Sequence, residues 1–252
     1  MSAPSRRSRP GRQREAAVPG TDSLDPIRLH EFSTRLRRWF RKHGRDLPWR
    51  RTRDPYRVLV SELMLQQTQV SRVVDYYQRF LDRFPTLGHV AEAPQRHVLA
   101  SWAGLGYYAR ARNLHALARR VTRDGGPIPD DPAELRTLPG IGAYTAGAVA
   151  SFAYERRAPL VDTNVARVLH RVFTPGVDPK SSAGQRVGWN VAQRLLPRTG
   201  RAVWVHNQAL MELGALICTA RVRHCSRCPV ARLCATRAAD GDDQARLPRF
   251  LR

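Results

Sequence analysis

Apolar residues recur along most of the chain at the three- and four-residue spacing of an amphipathic helix. The first such segment begins at Asp25-Pro26, where an N-capping residue is followed by a proline in the first turn. Its apolar face consists of Leu29, Phe32, Leu36, Trp39 and Phe40. The pattern predicts a helix with one side buried against the rest of the protein.

Further segments of the same kind follow, and prolines or glycines stand at several of their ends. The pattern predicts helices near residues 58–64, 73–84, 98–102, 109–123, 164–173, 182–196 and 201–217. Pro85 ends the second of them, and Gly125-Gly126 ends the fourth. Neither strand alternation nor an internal repeat is convincing, so the predicted fold class is all-α.

The order of the predicted helices indicates two helical lobes that flank a cleft. A helical barrel domain covers residues 50–155, and the second lobe combines residues 23–49 with residues 156–235. Residues 1–22 are rich in arginine, serine, proline and glycine, which predicts a disordered basic arm. Residues 236–252 form a short tail.

The charge of the chain favours a polyanionic partner. Its 43 lysines and arginines exceed its 21 acidic residues and give a formal net charge of +22. Only Lys42 and Lys180 are lysines, and the arginines suit two-point phosphate contacts. An arginine-rich genome or an anionic membrane surface would also explain the charge. No apolar run is long enough for a membrane span or a secretory signal, so we expect a cytoplasmic protein without membrane attachment.

A glycine-containing segment is typical of a helix hairpin. Asp131 and Glu134 predict the start of its first helix, and Leu138-Pro139-Gly140-Ile141-Gly142 forms the turn before its second. A Cβ at Gly140 or Gly142 would strain this turn, and the second helix begins with free backbone N–H groups. Those groups and the helix dipole suit a DNA phosphate. The alternative is an ordinary tight turn between two core helices.

Two carboxylates have environments that favour opposite protonation states. Glu62 lies in an apolar segment, where burial would raise its pKa and make it a proton donor, unless it occupies a solvated stripe. Asp162, followed by Thr163 and Asn164, stands at a helix start that favours the carboxylate, although a plain N-cap looks the same. Such a pair can cleave a glycosidic bond. With duplex DNA as the partner, that would be the N-glycosidic bond of a flipped base.

Removal of a base from the stack leaves a gap, and two segments supply side chains to fill it. Residues 66–69 read Gln-Gln-Thr-Gln and provide amides close to Glu62. Leu105, Tyr107 and Tyr108 lie among glycines and arginines and could wedge or stack between bases. Leucines and tyrosines near helices are as often core residues, so both interpretations stay open here.

The four cysteines lie close together in sequence and indicate a metal site. Cys218, Cys225, Cys228 and Cys234 are separated by six, two and five residues. Two disulfides in so short a span are not expected in a cytosolic protein. One CxxC motif between two single cysteines favours a [4Fe-4S] cluster, while zinc ribbons use paired motifs; zinc stays an alternative. Arg221, Arg223 and Arg227 lie between the cysteines and indicate that the metal shapes a phosphate-binding surface and is structural.

Several motifs together resemble the MutY-type adenine DNA glycosylases of the helix-hairpin-helix, iron–sulfur superfamily. The matching stretches are residues 61–70, 104–114, 138–142 and the four cysteines. The first two are the most specific, since endonuclease III shares the hairpin. The resemblance covers about residues 25–235. It implies a monomeric, nucleoid-associated enzyme of base excision repair that removes adenine mispaired with 8-oxoguanine or guanine in double-stranded DNA, and it implies a [4Fe-4S] cluster.

The resemblance also implies a role for each matching residue. Glu62 would protonate the leaving adenine and Asp162 would stabilise the oxocarbenium ion or its covalent adduct, with Tyr144 and Asn164 in support. The adenine pocket would be lined by Trp49, Arg50 and Gln208. The DNA contacts around the mispair and its backbone would come from Gln67, Leu105, Tyr107, Gly140 and Gly142.

The same comparison of motifs predicts a monofunctional glycosylase. Tyr144 stands where endonuclease III-like enzymes carry a Schiff-base lysine, and neither lysine of the chain lies in these motifs. Two other functions stay open. One is a thymine or uracil mismatch glycosylase of the same superfamily, and the other is a non-catalytic DNA-binding iron–sulfur protein. The amide of Gln208 and the residues of the first two stretches favour adenine.

Two departures from the family pattern bear on the prediction. Thr163 stands where the family more often has glycine beside the catalytic aspartate, and we expect this to be tolerated. Full-length members carry a further Nudix-like domain that recognises 8-oxoguanine, whereas 18 residues follow Cys234 here. We therefore expect weaker discrimination between 8-oxoguanine and guanine opposite the adenine.

Overall fold

The computed structural model describes residues 24–240, with only the backbone of Asp240. The predicted basic arm at residues 1–22 and most of the predicted tail lie outside this range. The α-helices within it are α1 (Pro26–His43), α2 (Pro55–Leu65), α3 (Val70–Arg83), α4 (Leu87–Glu92), α5 (Gln95–Ser101), α6 (Ala109–Arg123), α7 (Pro132–Leu135), α8 (Ala143–Tyr154), α9 (Thr163–Phe173), α10 (Ser182–Leu195), α11 (Gly200–Leu216) and α12 (Ala235–Asp240). Residues 24–240 contain no β-strand beyond one isolated bridge, so the predicted all-α class is confirmed.

The helix ends follow from local capping chemistry. Asp25 accepts hydrogen bonds from the backbone of Ile27 and Arg28 and caps α1, as the sequence indicates. Asp54 caps α2 in the same way, so this helix begins three residues before the apolar run that predicts it. The six-residue α4 was not predicted, because Val90 is its one buried residue and it has no apolar periodicity.

The helices pack in two groups. In one group α2 packs against α3, α6 and α8, while α6 also contacts α4 and α5, and α7 contacts α8. In the other, α1 packs against α10 and α11, and α9 contacts α10, α11 and α12. Contacts between α8 and α11 join the two groups. The domain boundaries given above, at residues 50 and 155, stay a prediction.

The helix α2 lies at the centre of the first group and is buried along most of its length. Its buried residues are Tyr56, Val58, Leu59, Val60, Ser61, Glu62, Leu63 and Met64. A helix that is apolar on all sides is typical of a core position. A glutamate is therefore enclosed by apolar neighbours near the junction of the two groups. No described helix is both long enough and apolar enough to cross a membrane.

Candidate active site

Glu62 is a buried carboxyl group with one strong hydrogen-bond partner. Its side chain is only 3% exposed, and its Oε2 accepts a hydrogen bond of 2.9 Å from the hydroxyl of Tyr144 on α8. Burial raises the pKa of Glu62 to about 7, against the opposing effects of the Tyr144 hydrogen bond and the positive charge of Arg50. The negative charge of Asp162 raises it further. Glu62 can therefore carry a proton near neutral pH.

Tyr144 supplies a neutral hydroxyl at this point. Burial raises the pKa of Tyr144 well above its ordinary value, and the negative charges of Glu62 and Asp162 raise it further. The phenol therefore stays protonated and donates its hydrogen to the Glu62 carboxyl. No amine takes part in this contact.

Asp162 is the N-cap of α9, and both of its carboxylate oxygens accept hydrogen bonds. Oδ1 accepts from the backbone N–H of Val165 at 2.7 Å, and Oδ2 accepts from the side-chain amide of Asn164 at 3.0 Å. These donors and the N-terminus of α9 stabilise a negative charge. Asp162 is half-buried, so part of its surface is accessible to solvent.

Arg167, one turn further along α9, fixes the Asn164 amide. Its Nη2 donates to Asn164 Oδ1 and to the carbonyl of Gly214, each at 2.8 Å, and its Nε donates to the carbonyl of Cys218 at 2.9 Å. Hydrogen bonds thus connect Asp162 through Asn164 and Arg167 to the carbonyl of Cys218, the first cysteine. Arg167 was not predicted from the sequence, although its position five residues after Asp162 places it near the start of the same helix.

Of the three residues predicted to form a base pocket, Arg50 and Gln208 are joined by a hydrogen bond. Arg50 Nε donates to Gln208 Oε1 at 2.8 Å, and Arg50 Nη2 donates to Glu212 Oε2 at 2.9 Å. Trp49 is buried, and its ring packs edge-on against Tyr77. Because a guanidinium only donates, the Gln208 oxygen must face Arg50. The amide nitrogen of Gln208 is thereby directed away from Arg50.

Glu212 anchors this pair and was not found in the sequence analysis. Burial alone would raise the pKa of Glu212, but hydrogen bonds from Arg45 and Arg50 outweigh it and lower the pKa to about 2. Glu212 therefore stays ionised between the two arginines. The signal in the sequence is its spacing, since Glu212 follows Gln208 by four residues and shares its face of α11.

The residues predicted to enter a DNA gap differ in exposure. Gln67 is exposed with φ of 54°, and Tyr107 is 59% exposed with φ of 49°. Leu105 is only 6% exposed and packs in the core. Without DNA the Leu105 side chain thus lies among core residues, and its predicted role in the gap stays a prediction. Gln67, Gln69, Tyr107 and Tyr108 face solvent.

The two hairpin glycines have different physical roles. Gly140 has φ of 75°, and a Cβ there would stand 2.6 Å from the side chain of Asn113. Gly142 has φ of −86°, and a Cβ there would meet nothing within 4 Å. The expectation that a Cβ strains both positions is therefore correct for Gly140 and wrong for Gly142. Gly142 leaves open space beside the start of α8, which no side chain caps.

The four cysteines line one small cavity of about 30 Å³, together with apolar residues such as Ile217 and Val230. Burial raises the pKa of the Cys228 thiol to about 12, and the other three thiols raise it further. Among residues 24–240 no three histidine, cysteine, aspartate or glutamate side chains lie close enough together to hold a single metal ion. In a four-iron cluster each thiolate binds a different iron, so a wider arrangement fits this donor set.

Arg171 provides positive charge beside this cavity. It is almost completely buried in α9, and its Nη1 donates to the Sγ of Cys218 at 3.2 Å and to the carbonyl of Thr219 at 2.7 Å. A guanidinium in this position stabilises a thiolate. The sequence predicts phosphate contacts for the arginines between the cysteines, whereas Arg171 lies outside that loop, on α9, and was not predicted.

Fold and site together define the class of protein. Residues 60–192, which include both carboxylates and the hairpin, match the family model of the HhH-GPD superfamily of base excision DNA repair proteins. The match covers more than half of the chain. The chain belongs to this superfamily.

Adenine DNA glycosylases are among its most similar relatives. The human enzyme is 44% identical over 223 residues, which are 84% of this chain and 40% of that protein. The enzyme of Mycolicibacterium smegmatis is 43% identical over 219 residues, which are 86% of this chain and 71% of that protein. Within the superfamily the chain therefore belongs to the adenine DNA glycosylase family, although it spans about two fifths of the human relative.

Solved structures of related proteins share the fold. A thermostable thymine-DNA glycosylase superposes with a TM-score of 0.77 at 30% identity, covering 84% of this chain and 98% of that one. A trapped endonuclease III–DNA covalent intermediate superposes with a TM-score of 0.71 at 22% identity, covering 86% and 98%. The second likeness concerns the fold alone.

Proposed function

We propose that this chain is a monofunctional DNA glycosylase of base excision repair that hydrolyses the N-glycosidic bond of adenine mispaired with 8-oxoguanine or guanine. The observation that carries the proposal is the pairing of a buried Glu62, with a pKa of about 7, and Asp162, which accepts two hydrogen bonds at a helix start. The likeness to adenine DNA glycosylases supports the choice of base.

In the proposed reaction the two carboxyl groups act in opposite protonation states. Glu62 transfers its proton to a ring nitrogen of the flipped adenine as the C1′–N9 bond breaks and the bonding electron pair leaves with the base. Asp162 stabilises the positive charge at C1′, directly or as a covalent adduct. A water molecule then adds at C1′ and gives up a proton to a carboxylate. Tyr144 and Asn164 keep the two carboxyl groups in place.

The proposed adenine pocket consists of Trp49, Arg50 and Gln208. The Gln208 oxygen is bound by Arg50, so the amide nitrogen is free to donate to an acceptor nitrogen of a purine. Gln67 and Tyr107 are proposed to fill the gap at the mispair, and the start of α8 with Gly140 and Gly142 is proposed to bind a phosphate. The partner would be double-stranded DNA, bound by a monomer in the nucleoid of the cytoplasm.

We also infer that Cys218, Cys225, Cys228 and Cys234 hold a [4Fe-4S] cluster. Their common cavity and the Arg171 contact to Cys218 support this inference. When bound, such a cluster would cross-link the loop structurally and place its arginines for phosphate binding. Visible absorption and iron analysis of protein purified without oxygen would test it.

The first experiment is a base-release assay on duplexes containing A:8-oxoguanine, A:G, T:G or U:G, read before alkali treatment. Adenine release with an intact strand is the expected result. Release of thymine or uracil would favour the alternative, a mismatch glycosylase. The similarity to a thymine-DNA glycosylase supports that alternative. Strand cleavage, or a borohydride-trapped adduct, would contradict the monofunctional assignment.

The variant Asp162→Asn distinguishes catalysis from DNA binding alone. We expect it to keep duplex affinity within about threefold while base release falls by about a hundredfold or more, the scale of an electrostatic catalytic contribution. Unchanged release would refute the assigned role of Asp162. Tight binding without release by the unchanged protein would instead point to a non-catalytic iron–sulfur protein.

A further inference from the structure

Arg110, near the start of α6, is a buried arginine that the proposed reaction does not use. It is 6% exposed, and burial lowers its pKa, while the nearby Tyr107 acts in the opposite direction. Its Nη1 donates to the carbonyls of Leu63 and Met64 at 2.9 and 2.7 Å, and also to the carbonyl of Gln66. A guanidinium is thus bound to the carboxyl end of α2, where the helix dipole favours positive charge.

The other side of the same guanidinium binds a second segment. Nη2 donates to the carbonyls of Gly106 at 3.0 Å and Leu105 at 3.4 Å, and Nε donates to the carbonyl of Tyr107 at 3.4 Å. The guanidinium carbon also lies 5.4 Å from the ring centre of Tyr107 and 5.6 Å from that of Trp102. Arg110 therefore joins the segment after α2 to the segment before α6.

We call these segments, residues 66–69 and 104–108, the two gap loops. Each contains a residue with a side chain in the left-handed backbone region, Gln67 with φ of 54° and Tyr107 with φ of 49°. That conformation is unfavourable for a residue with a Cβ and persists where its surroundings fix it. Arg110 binds the carbonyl just before Gln67 and the carbonyls on both sides of Tyr107, so it fixes the peptide group before Gln67 and both peptide groups of Tyr107.

We propose that Arg110 is a positioning residue that joins the two gap loops into one rigid unit and aims Gln67 and Tyr107 outward, at the bases around a gap in a DNA duplex. The inference rests on the proposed function for its substrate. Arg110 is not a phosphate contact, because the five N–H groups of its guanidinium are already shared among seven protein acceptors. Lysine has three donors at one point and cannot bridge both loops.

The test compares Arg110→Lys with Arg119→Lys, a matched change at an exposed position on the same helix. Affinity is measured for one duplex with an A:G mispair and for the same duplex with A:T, alongside thermal unfolding. A fluorescent 2-aminopurine next to the mispair reports unstacking independently of base release. We expect Arg110→Lys to lose about tenfold in its preference for the mispair and most of the fluorescence change, while A:T affinity stays within about twofold. Arg119→Lys should match the unchanged protein.

A double-mutant cycle separates positioning from a merely structural role. If Arg110 acts through Tyr107, Arg110→Lys will have little further effect on mispair preference in a Tyr107→Ala background. Additive losses, or equal losses of affinity for both duplexes together with a lower melting temperature, would overturn the inference. So would wild-type preference and fluorescence in Arg110→Lys.

The readouts also keep this inference apart from the proposed function. If the unchanged protein releases no adenine but still unstacks the reporter in an Arg110-dependent way, the proposed function fails and the positioning role stands. If adenine is released normally and Arg110→Lys changes neither preference nor fluorescence, the proposed function stands and the positioning role fails.

Discussion

At the scale of single residues, the Glu62 carboxyl is subject to two opposing effects. Burial in α2 favours the neutral acid, and the Tyr144 hydroxyl favours the carboxylate. The balance leaves the pKa at about 7, so a modest change in either effect alters the protonated fraction under physiological conditions. The acid and its partner tyrosine therefore act as one unit.

Replacing Tyr144 by phenylalanine should move the pH dependence of base release. The substitution removes the hydrogen bond that lowers the pKa of Glu62, so the pKa rises and the acid stays protonated to higher pH. In single-turnover assays the alkaline decline, near pH 7 in the unchanged protein, should shift upward. Tyr154→Phe, on the same helix but bonded to Ile128, is the control and should leave the profile in place. A downward shift would contradict the assignment.

The raised pKa of Glu62 also has a consequence for stability. In the folded protein the pKa of Glu62 is about 7, above its ordinary value of 4.5. The contribution of Glu62 to the free energy of unfolding is therefore fully present below pH 4.5 and is lost as the pH rises through 7. Glu62→Gln should therefore be nearly neutral at pH 4 and should raise the free energy of unfolding at pH 8 by up to about 3 kcal/mol. Urea unfolding at both pH values tests this. The prediction would be wrong if the stability of Glu62→Gln relative to the unchanged protein were lower at pH 8 than at pH 4.

At the scale of elements, the turn between α7 and α8 separates two uses of glycine. Gly140 is required by its backbone conformation and by contact with Asn113, whereas Gly142 occupies an ordinary conformation in open space. One residue thus determines the shape of the turn. The other leaves room beside the free N–H groups of α8.

A pair of alanine substitutions tests this separation. Gly140→Ala should cost roughly 2 kcal/mol of unfolding free energy or more, because it combines a left-handed conformation with a close contact. Gly142→Ala should cost less than about 1 kcal/mol, the difference between glycine and alanine at an N-cap. It should nevertheless weaken duplex binding several-fold, since its methyl group would occupy the space for a phosphate. Equal losses of stability in the two variants would refute the distinction.

The elements were more predictable than the directions of particular side chains. The burial of Glu62 follows from the apolar residues around it, and the cap at Asp162 follows from its place before an amphipathic run. Arg110 gave no such signal. It lies in a basic helix where arginines predict phosphate contacts, and it is buried because backbone carbonyls from two loops surround it.

The same limit explains why the sequence left the burial of Leu105 open and gave no indication of Arg167. Whether a loop leucine points inward depends on the helices packed beneath it, and a local pattern does not contain that information. The partners of Arg167 include the carbonyls of Gly214 and Cys218, which are distant in sequence. Long-range hydrogen bonds to the main chain leave no signature in the spacing of side chains.

At the scale of the whole molecule, a net charge of +22 is spread over a chain whose basic residues are nearly all arginines. Affinity for duplex DNA should therefore fall steeply with added salt, because binding releases counterions from the phosphates. Arg221 and Arg227 are exposed and lie between the first and last cysteines of the cysteine loop. They are candidates for part of that salt dependence.

Replacing both arginines by glutamine should weaken binding to mispaired and paired duplexes alike. The slope of log affinity against log salt should decrease by about one for each phosphate that the variant no longer neutralises. Base release at saturating protein should change by less than about twofold, because phosphate contacts position a duplex and neither residue belongs to the proposed base pocket. An unchanged slope would exclude the loop from the DNA interface, and a selective loss for the mispair would assign it a different role.

The Arg110 hydrogen bonds differ from these surface charges in one respect that concerns the protein in its cell. Dissolved ions screen exposed charges, but they have little access to a guanidinium enclosed by carbonyls. A rise in ionic strength would therefore shorten each encounter with DNA without altering the shape that interrogates the bases. The rate at which the protein samples DNA and its discrimination of a mispair would then respond separately to the same change in ionic strength.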